Sequence, residues 1–189
     1  MGAAFEKLET NGSKSSSNWM ALADESDFGR EFVCPEESMR YAGSLEQLVF
    51  NKFRGNGKSP TIIEFGSGTG EPVIAAILNS KFTGVVHGYE INMDASDKAG
   101  DLIHEYGLDG KYIVHPSSFF DAKFIPQSDY LIANPPYLPC KDRSQLILPD
   151  LCGGANGNDV SKKLLSRGFK HVFLEISSYS DPAAITEHA

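Results

Sequence analysis

The sequence predicts an α/β fold built on a mainly parallel, doubly wound sheet, and three observations lead there. From Pro60 onward, short apolar runs alternate with segments of helical periodicity. The first of those runs ends in Gly66-Ser67-Gly68-Thr69-Gly70, the punctuation of a turn that takes a strand straight into a helix. A chain of 189 residues that is 41% hydrophobic and 22% charged also carries enough apolar surface for one core and one domain. Strands separated by helical crossovers pair in parallel through right-handed connections.

Residues 1–30 contain the polar run Asn11 to Asn18, too poor in apolar side chains to order itself, and read as a flexible tail. Residues 31–189 form the domain. Leu45, Leu48, Val49 and Phe53 share a helical face over 38–53, with Ser44 and Gln47 as a capping box, and Gly55-Asn56-Gly57 closes that segment. The first strand is Thr61 to Phe65, followed by a helix over Pro72 to Leu78. Val85 to Glu90 is the second strand, and the helix Asp94 to Tyr106 stops at Gly107. Lys111 to His115 and Ser128 to Ala133 are strands three and four. A helix over Val160 to Ser166 then leads to strand five, His171 to Ile176. No internal repeat is present.

Charge and composition narrow the function classes. A formal net charge of −8 argues against a protein that grips a nucleic-acid backbone, because its longest basic groupings are only Lys162-Lys163 and Lys141 with Arg143. No apolar run reaches the length of a membrane span. The first residues have neither the basic nor the apolar region of a secretory signal, and Glu6 opposes myristoylation at Gly2. Cys34, Cys140 and Cys152 are odd in number and far apart. They read as reduced thiols, so a cytoplasmic setting is expected.

The glycine turn is a candidate ligand cradle. Its first glycine permits a tight turn and its second lets a ligand approach the backbone. Pro72 suits the first turn of the helix that follows. The Gly-x-Gly-x-Gly spacing differs from that of pyrophosphate-binding dehydrogenases, and Glu71 at the helix start disfavours a pyrophosphate but tolerates a zwitterionic amino acid. Twenty residues beyond Gly70, Glu90 ends the second strand, where a carboxylate can accept from both hydroxyls of an adenosine ribose. After strand three, Ser117-Ser118-Phe119-Phe120 offers aromatic rings that either cover an adenine or belong to the core.

The most specific segment is Asp129-Tyr130-Leu131-Ile132-Ala133-Asn134-Pro135-Pro136-Tyr137. A strand delivers Asn134 to the carboxyl edge of the sheet, where open α/β folds bind ligands. Two prolines fix the backbone and leave carbonyls without competing N–H donors. The Asn134 side-chain carbonyl and the Pro135 backbone carbonyl can together accept both hydrogens of a planar NH2 group. Such a nitrogen has a delocalised lone pair, and two acceptors that draw it towards tetrahedral geometry localise the pair and aim it at a methyl carbon. Tyr137 can stack on the flat group, and catalysis is then mostly positioning and electrostatics.

From about Arg40 to Ile176 the sequence resembles the class I methyltransferases that use S-adenosylmethionine and carry an Asn-Pro-Pro-Tyr signature, among them N6-adenine methyltransferases and the glutamine methyltransferases of release factors. The resemblance implies a Rossmann-like sheet in the order 3-2-1-4-5. Gly66, Gly68 and Gly70 would line the cofactor, Glu64 would sit near its amino group and Glu90 would hold its ribose. Ser118 and Phe119 would lie at its adenine, and Asn134, Pro135 and Tyr137 would hold the target nitrogen. Gly153-Gly154-Ala155-Asn156-Gly157-Asn158-Asp159-Val160 is similar to the Gly-Gly-x-x-Gly-x-x-Val segment of the glutamine branch. Three departures stand out. Ser118 replaces an Asp common in relatives, a separate N-terminal helical domain is absent, and the chain stops before strands six and seven. Strand five is then an edge, and a homodimer or a sheet-completing partner is expected there.

The five histidines share no metal-ligand spacing with each other or with the cysteines, so no metal is expected. The expected activity is N-methylation of an amide or exocyclic amine, with a protein or small-molecule acceptor favoured over nucleic acid and no membrane partner. Its rival is a shortened relative that binds without catalysis.

Overall fold

The computed structural model describes residues 34–54, 57–142, 144 and 149–189; the tail expected over 1–30 and the glycine turn at 55–56 lie outside them. β1 (Thr61–Phe65) takes the centre because both faces of its Ile62-Ile63 pair are apolar, and each isoleucine is fully buried. β2 (Val85–Glu90) and β4 (Tyr130–Ala133) pair in parallel with its two sides; β3 (Tyr112–Pro116) extends the sheet beyond β2, and β5 (His171–Leu174) beyond β4. The order is β3-β2-β1-β4-β5, the order that the resemblance implies, and all the strands are parallel. Sequence-adjacent β1, β2 and β3 run outward in one direction, and the chain then reverses to β4 on the other side of β1. That reversal opens a crevice at the carboxyl edge.

Helices cover both faces. On one side α1 (Pro35–Leu48), α2 (Glu71–Ser80) and α3 (Met93–Glu105) pack Tyr41, Leu45, Val73, Ile77 and Ile103 on Ile62, Val86 and Ile132. On the other, Leu164 of α4 (Asp159–Leu165) packs with Ile63, Tyr89, Phe119 and Leu131. The alternation follows the two-residue period of a strand: Ile62 and Ile132 face one layer, Ile63 and Leu131 the other. Among the described residues no helix is long and apolar enough to cross a membrane.

Several boundaries differ from expectation. α1 starts at Pro35, and a 3-10 turn over Phe50–Phe53 follows it, so Ser44 lies inside the helix and caps nothing. Pro35 occupies the first turn, and Glu36 and Glu37 meet the positive end of the helix dipole there. β4 begins two residues late because Ser128 bonds the backbone instead. Its hydroxyl donates to the Thr61 carbonyl at 2.6 Å and accepts from the Tyr130 N–H at 2.9 Å. β5 ends at Leu174 rather than Ile176. A further helix, α5 (Pro182–His188), follows it and buries Ile185.

The cysteine reading is corrected as well. Cys140 and Cys152 form a disulfide across a Cα–Cα separation of 5.6 Å, and Cys34 alone is a free thiol. Backbone bonds bring the two together: Leu138 N–H to the Leu151 carbonyl, Gly153 N–H to the Leu138 carbonyl, and Cys140 N–H to the Gly154 carbonyl.

Candidate active site

The carboxyl ends of β1, β2 and β4 open onto a cavity of about 530 Å3, within the range of small-molecule sites. At its floor the turn after β1 places Gly66, Gly68 and Gly70 at φ 67°, 53° and 78°, a region that L side chains rarely adopt. A side chain at Gly66 or Gly68 would project into open space, so the turn leaves a backbone-lined recess. Gly70 itself is the cap of α2 and packs against the Tyr112 ring.

Glu90 ends β2 beside this turn, 9% exposed. One carboxylate oxygen accepts the Gly68 N–H at 2.8 Å and the other the Asn92 N–H at 2.8 Å. Each oxygen retains a further lone pair for a ligand hydroxyl. Glu64, from β1, is fully buried on the same wall and accepts the Tyr112 hydroxyl at 2.5 Å. Gly88 makes that bond possible, since a Cβ there would come within 3.2 Å of the Glu64 carboxylate and 3.1 Å of the Tyr112 ring. Burial pushes the Glu64 carboxyl up to about 8; the Tyr112 hydrogen bond opposes the rise and the Glu90 charge adds to it.

Ser118 and Phe119 also line the cavity. Phe119 does so from within the core, 2% exposed and edge-on to both Phe65 and Tyr89, so it is a core aromatic at the cavity's edge.

Asn134, Pro135 and Tyr137 line the same cavity from the end of β4. Asn134 donates its amide N–H to one Glu37 oxygen at 2.8 Å, and the Tyr137 hydroxyl donates to the other at 3.0 Å. An ionised carboxylate only accepts, so the NH2 end of Asn134 must face Glu37. Its Oδ1 then points the other way and is buried without a hydrogen-bond partner. The Tyr137 hydroxyl is pushed up to about 12, by burial first and then by the charge and hydrogen bond of Glu37. The glycines over 153–157 buttress this wall. A Cβ at Gly153 would collide with the Pro136 carbonyl, and one at Gly157 with the Tyr137 carbonyl.

No protein-family model matches the sequence, and no curated protein matches it. Solved methyltransferase structures do match. An RNA methyltransferase from Salinibacter ruber, in complex with S-adenosyl-L-homocysteine, aligns over 78% of this chain and 79% of its own, at 17% identity and a TM-score of 0.47. The StiE O-MT, residues 961–1257, aligns over 87% of this chain and 53% of its own, at 13% identity and a TM-score of 0.47. A SAM-dependent methyltransferase from Thiobacillus denitrificans, also with S-adenosyl-L-homocysteine, aligns over 58% and 41%, at 12% identity and a TM-score of 0.41. The chain thus spans about half the length of the second and two fifths of the third.

Two residues of the site have no signal in the local motifs. Glu37 and Tyr41 lie one turn apart on α1 and reach the cavity only because that helix packs over the carboxyl edge. The Tyr41 hydroxyl is buried without a partner, and burial, then the Glu64 and Glu175 charges, hold it well above the usual phenol range. Arg40, on the same turn, pairs with Glu175 at 2.9 Å and ties α1 to the end of β5. Among the described residues no group of three or more His, Cys, Asp or Glu side chains is placed to hold a metal ion.

Proposed function

We propose that this chain is an N-methyltransferase that uses S-adenosylmethionine and acts on a planar amide or exocyclic amine nitrogen. The observation that carries the reading is the Asn134 amide. Its donor end is tied to Glu37, and its carbonyl oxygen is buried with no partner, on a residue that lines the cavity. A buried acceptor without a donor costs roughly 1–3 kcal/mol, so the position is set for a ligand N–H.

The residues present fit the cofactor. Glu90 is placed for ribose hydroxyls, the backbone recess over Gly66 and Gly68 admits a ligand without a clash, and Glu64 offers a carboxylate to a cation. When bound, S-adenosylmethionine supplies an electrophilic methyl group on a sulfonium. The chain itself holds the acceptor. The Asn134 and Pro135 carbonyls take the two N–H hydrogens and localise the lone pair, and the Tyr137 ring lies beside the flat group.

Electrostatics favour a protein or small-molecule acceptor over a polynucleotide. Five carboxyl groups, Glu37, Glu64, Glu71, Glu90 and Asp150, line the cavity, and among its described lining residues there is no Lys, Arg or His. The ionised carboxylates of such a wall attract cations and repel phosphate, with Glu64, pushed up to about 8, adding to them only once it loses its proton. The test is to incubate the protein with labelled methyl donor and a cell lysate, beside Asn134→Ala. Label is expected in protein or small molecules and absent with the variant. Label in nucleic acid alone would overturn the acceptor class; equal label with Asn134→Ala would overturn the mechanism.

A further inference from the structure

We infer that Glu37 is a positioning residue of the acceptor site, one that fixes the direction of the Asn134 amide and strengthens its carbonyl as an acceptor. The inference rests on the methyl-transfer reading and adds a component supplied by α1.

Three observations carry it. First, Glu37 bridges the two polar side chains of the motif, with bonds of 2.8 Å to the Asn134 amide and 3.0 Å to the Tyr137 hydroxyl. These partners lie 97 and 100 residues away in sequence, so nothing local to the motif sets them. Second, the alternative amide orientation would point the Asn134 carbonyl at a carboxylate oxygen, acceptor against acceptor, and turn the NH2 group into the cavity. A target nitrogen would then meet a donor instead of an acceptor. Third, both Glu37 oxygens are engaged on the motif, which fits a residue acting through Asn134 and Tyr137 rather than on the substrate itself.

The charge has its own consequence. A hydrogen bond from an amide N–H to an anion shifts electron density towards the amide oxygen, and linked bonds polarise one another. The Asn134 carbonyl backed by Glu37 is therefore a stronger acceptor than a free amide. It pulls harder on the target N–H as positive charge develops on that nitrogen.

The helix that supplies Glu37 is well anchored. On the same face of α1, Tyr41 is 3% exposed and Leu45 fully buried, so the first turn is held against the sheet by the core rather than by Glu37. Removing the carboxylate should leave the helix in place.

The experiment uses the full chain with Glu37→Gln, Glu37→Ala, Asn134→Ala and the double variant Glu37→Ala with Asn134→Ala. Glutamine keeps an acceptor for the Asn134 N–H but removes the charge. It should lower kcat about tenfold with cofactor affinity within twofold of wild type. Alanine releases the amide and should cost about a hundredfold, and Asn134→Ala should then add little in the double variant. Two measurements do not depend on activity. The Tyr137 phenol should titrate nearer its ordinary range in Glu37→Gln, and the Asn134 side-chain amide protons should exchange faster with water. Wild-type kcat in Glu37→Gln, or fully additive losses in the double variant, would overturn the inference with methyl transfer intact. If the wild-type chain transfers no methyl group, altered Tyr137 titration and Asn134 exchange would support the Glu37 bridge while the methyl-transfer reading fails. Unchanged spectra would overturn the bridge as well.

Discussion

At the scale of single residues, the site contrasts groups that the sequence exposes with groups that only folding brings in. Glu90 and Asn134 are legible because one ends β2 and the other directly follows β4 within a short motif, and a strand end in this fold is a place at the carboxyl edge. The state of Glu64 is less legible, because it depends on the Tyr112 hydroxyl from 48 residues downstream and on complete burial. Its carboxyl, pushed up to about 8 by burial, makes a prediction whose sign can be worked out. The unfolded chain loses this proton near the ordinary glutamate value, whereas the folded chain keeps it to about 8. The folded state thus binds more protons between those limits. The stability the group contributes is complete below the unfolded value and is lost as pH rises to about 8, at up to about 1.4 kcal/mol per pH unit. Thermal unfolding without ligand, scanned from about pH 6 to 9, should fall less in Glu64→Gln than in wild type. A bound cation beside Glu64 favours the ionised form, so binding of S-adenosylmethionine near neutral pH should release a proton. Calorimetry in buffers of different ionisation enthalpy measures this, and zero release would remove Glu64 from the cation's neighbourhood.

At the scale of elements, helix periodicity located the bodies of α1 to α4 but not their ends. Pro35 and its acidic neighbours start α1 three residues before the expected point, and the Ser44 to Gln47 pattern that resembles a cap falls inside the helix. The second glycine segment shows what sequence similarity alone cannot explain. Gly153 and Gly157 are small because the Pro136 and Tyr137 carbonyls lie against them, so the loop before α4 packs directly behind the Asn134 to Tyr137 segment. Gly157 also has φ 72°, strained for any residue with a Cβ. Gly157→Ala should therefore push the Tyr137 backbone away and cost about 1–3 kcal/mol in denaturant unfolding. On the proposed reading, methyl transfer should fall while affinity for S-adenosylmethionine, assigned to the β1 and β2 ends, stays near wild type. A variant of unchanged stability and activity would mean that the loop yields without moving Tyr137. The Cys140–Cys152 disulfide belongs to this scale too: twelve residues of separation give no hint of it until the Leu138, Leu151 and Gly153 backbone bonds fold the loop back on itself.

At the scale of the whole molecule, the strand order leaves β5 on the edge of the sheet among the described residues. The His171 and Glu175 N–H groups bond to the Asp129 and Ala133 carbonyls beside β4. With a period of two, Val172 and Leu174 present their N–H and C=O groups on the opposite side, away from β4. Such an edge is a template for another strand unless charge, proline or shortness blunts it. Two of those devices are present. The strand has four residues, two fewer than the sequence suggests, and Lys170 and Glu175 flank it with charges that are already paired, to Asp129 and Arg40 respectively. Between those flanks the side chains of Val172, Phe173 and Leu174 are apolar, and none is a proline. We therefore predict that the isolated chain self-associates through β5, weakly because so few backbone bonds are available, and that a partner able to add a strand displaces the self-pairing. Light scattering over a range of concentrations should show the mass rise towards a dimer. Amide exchange at Val172 and Leu174 should slow over the same range, while the buried β1 amides stay protected throughout. A mass that stays monomeric with fast exchange at both residues would show that four residues and two flanking charges suffice to close this edge to other chains.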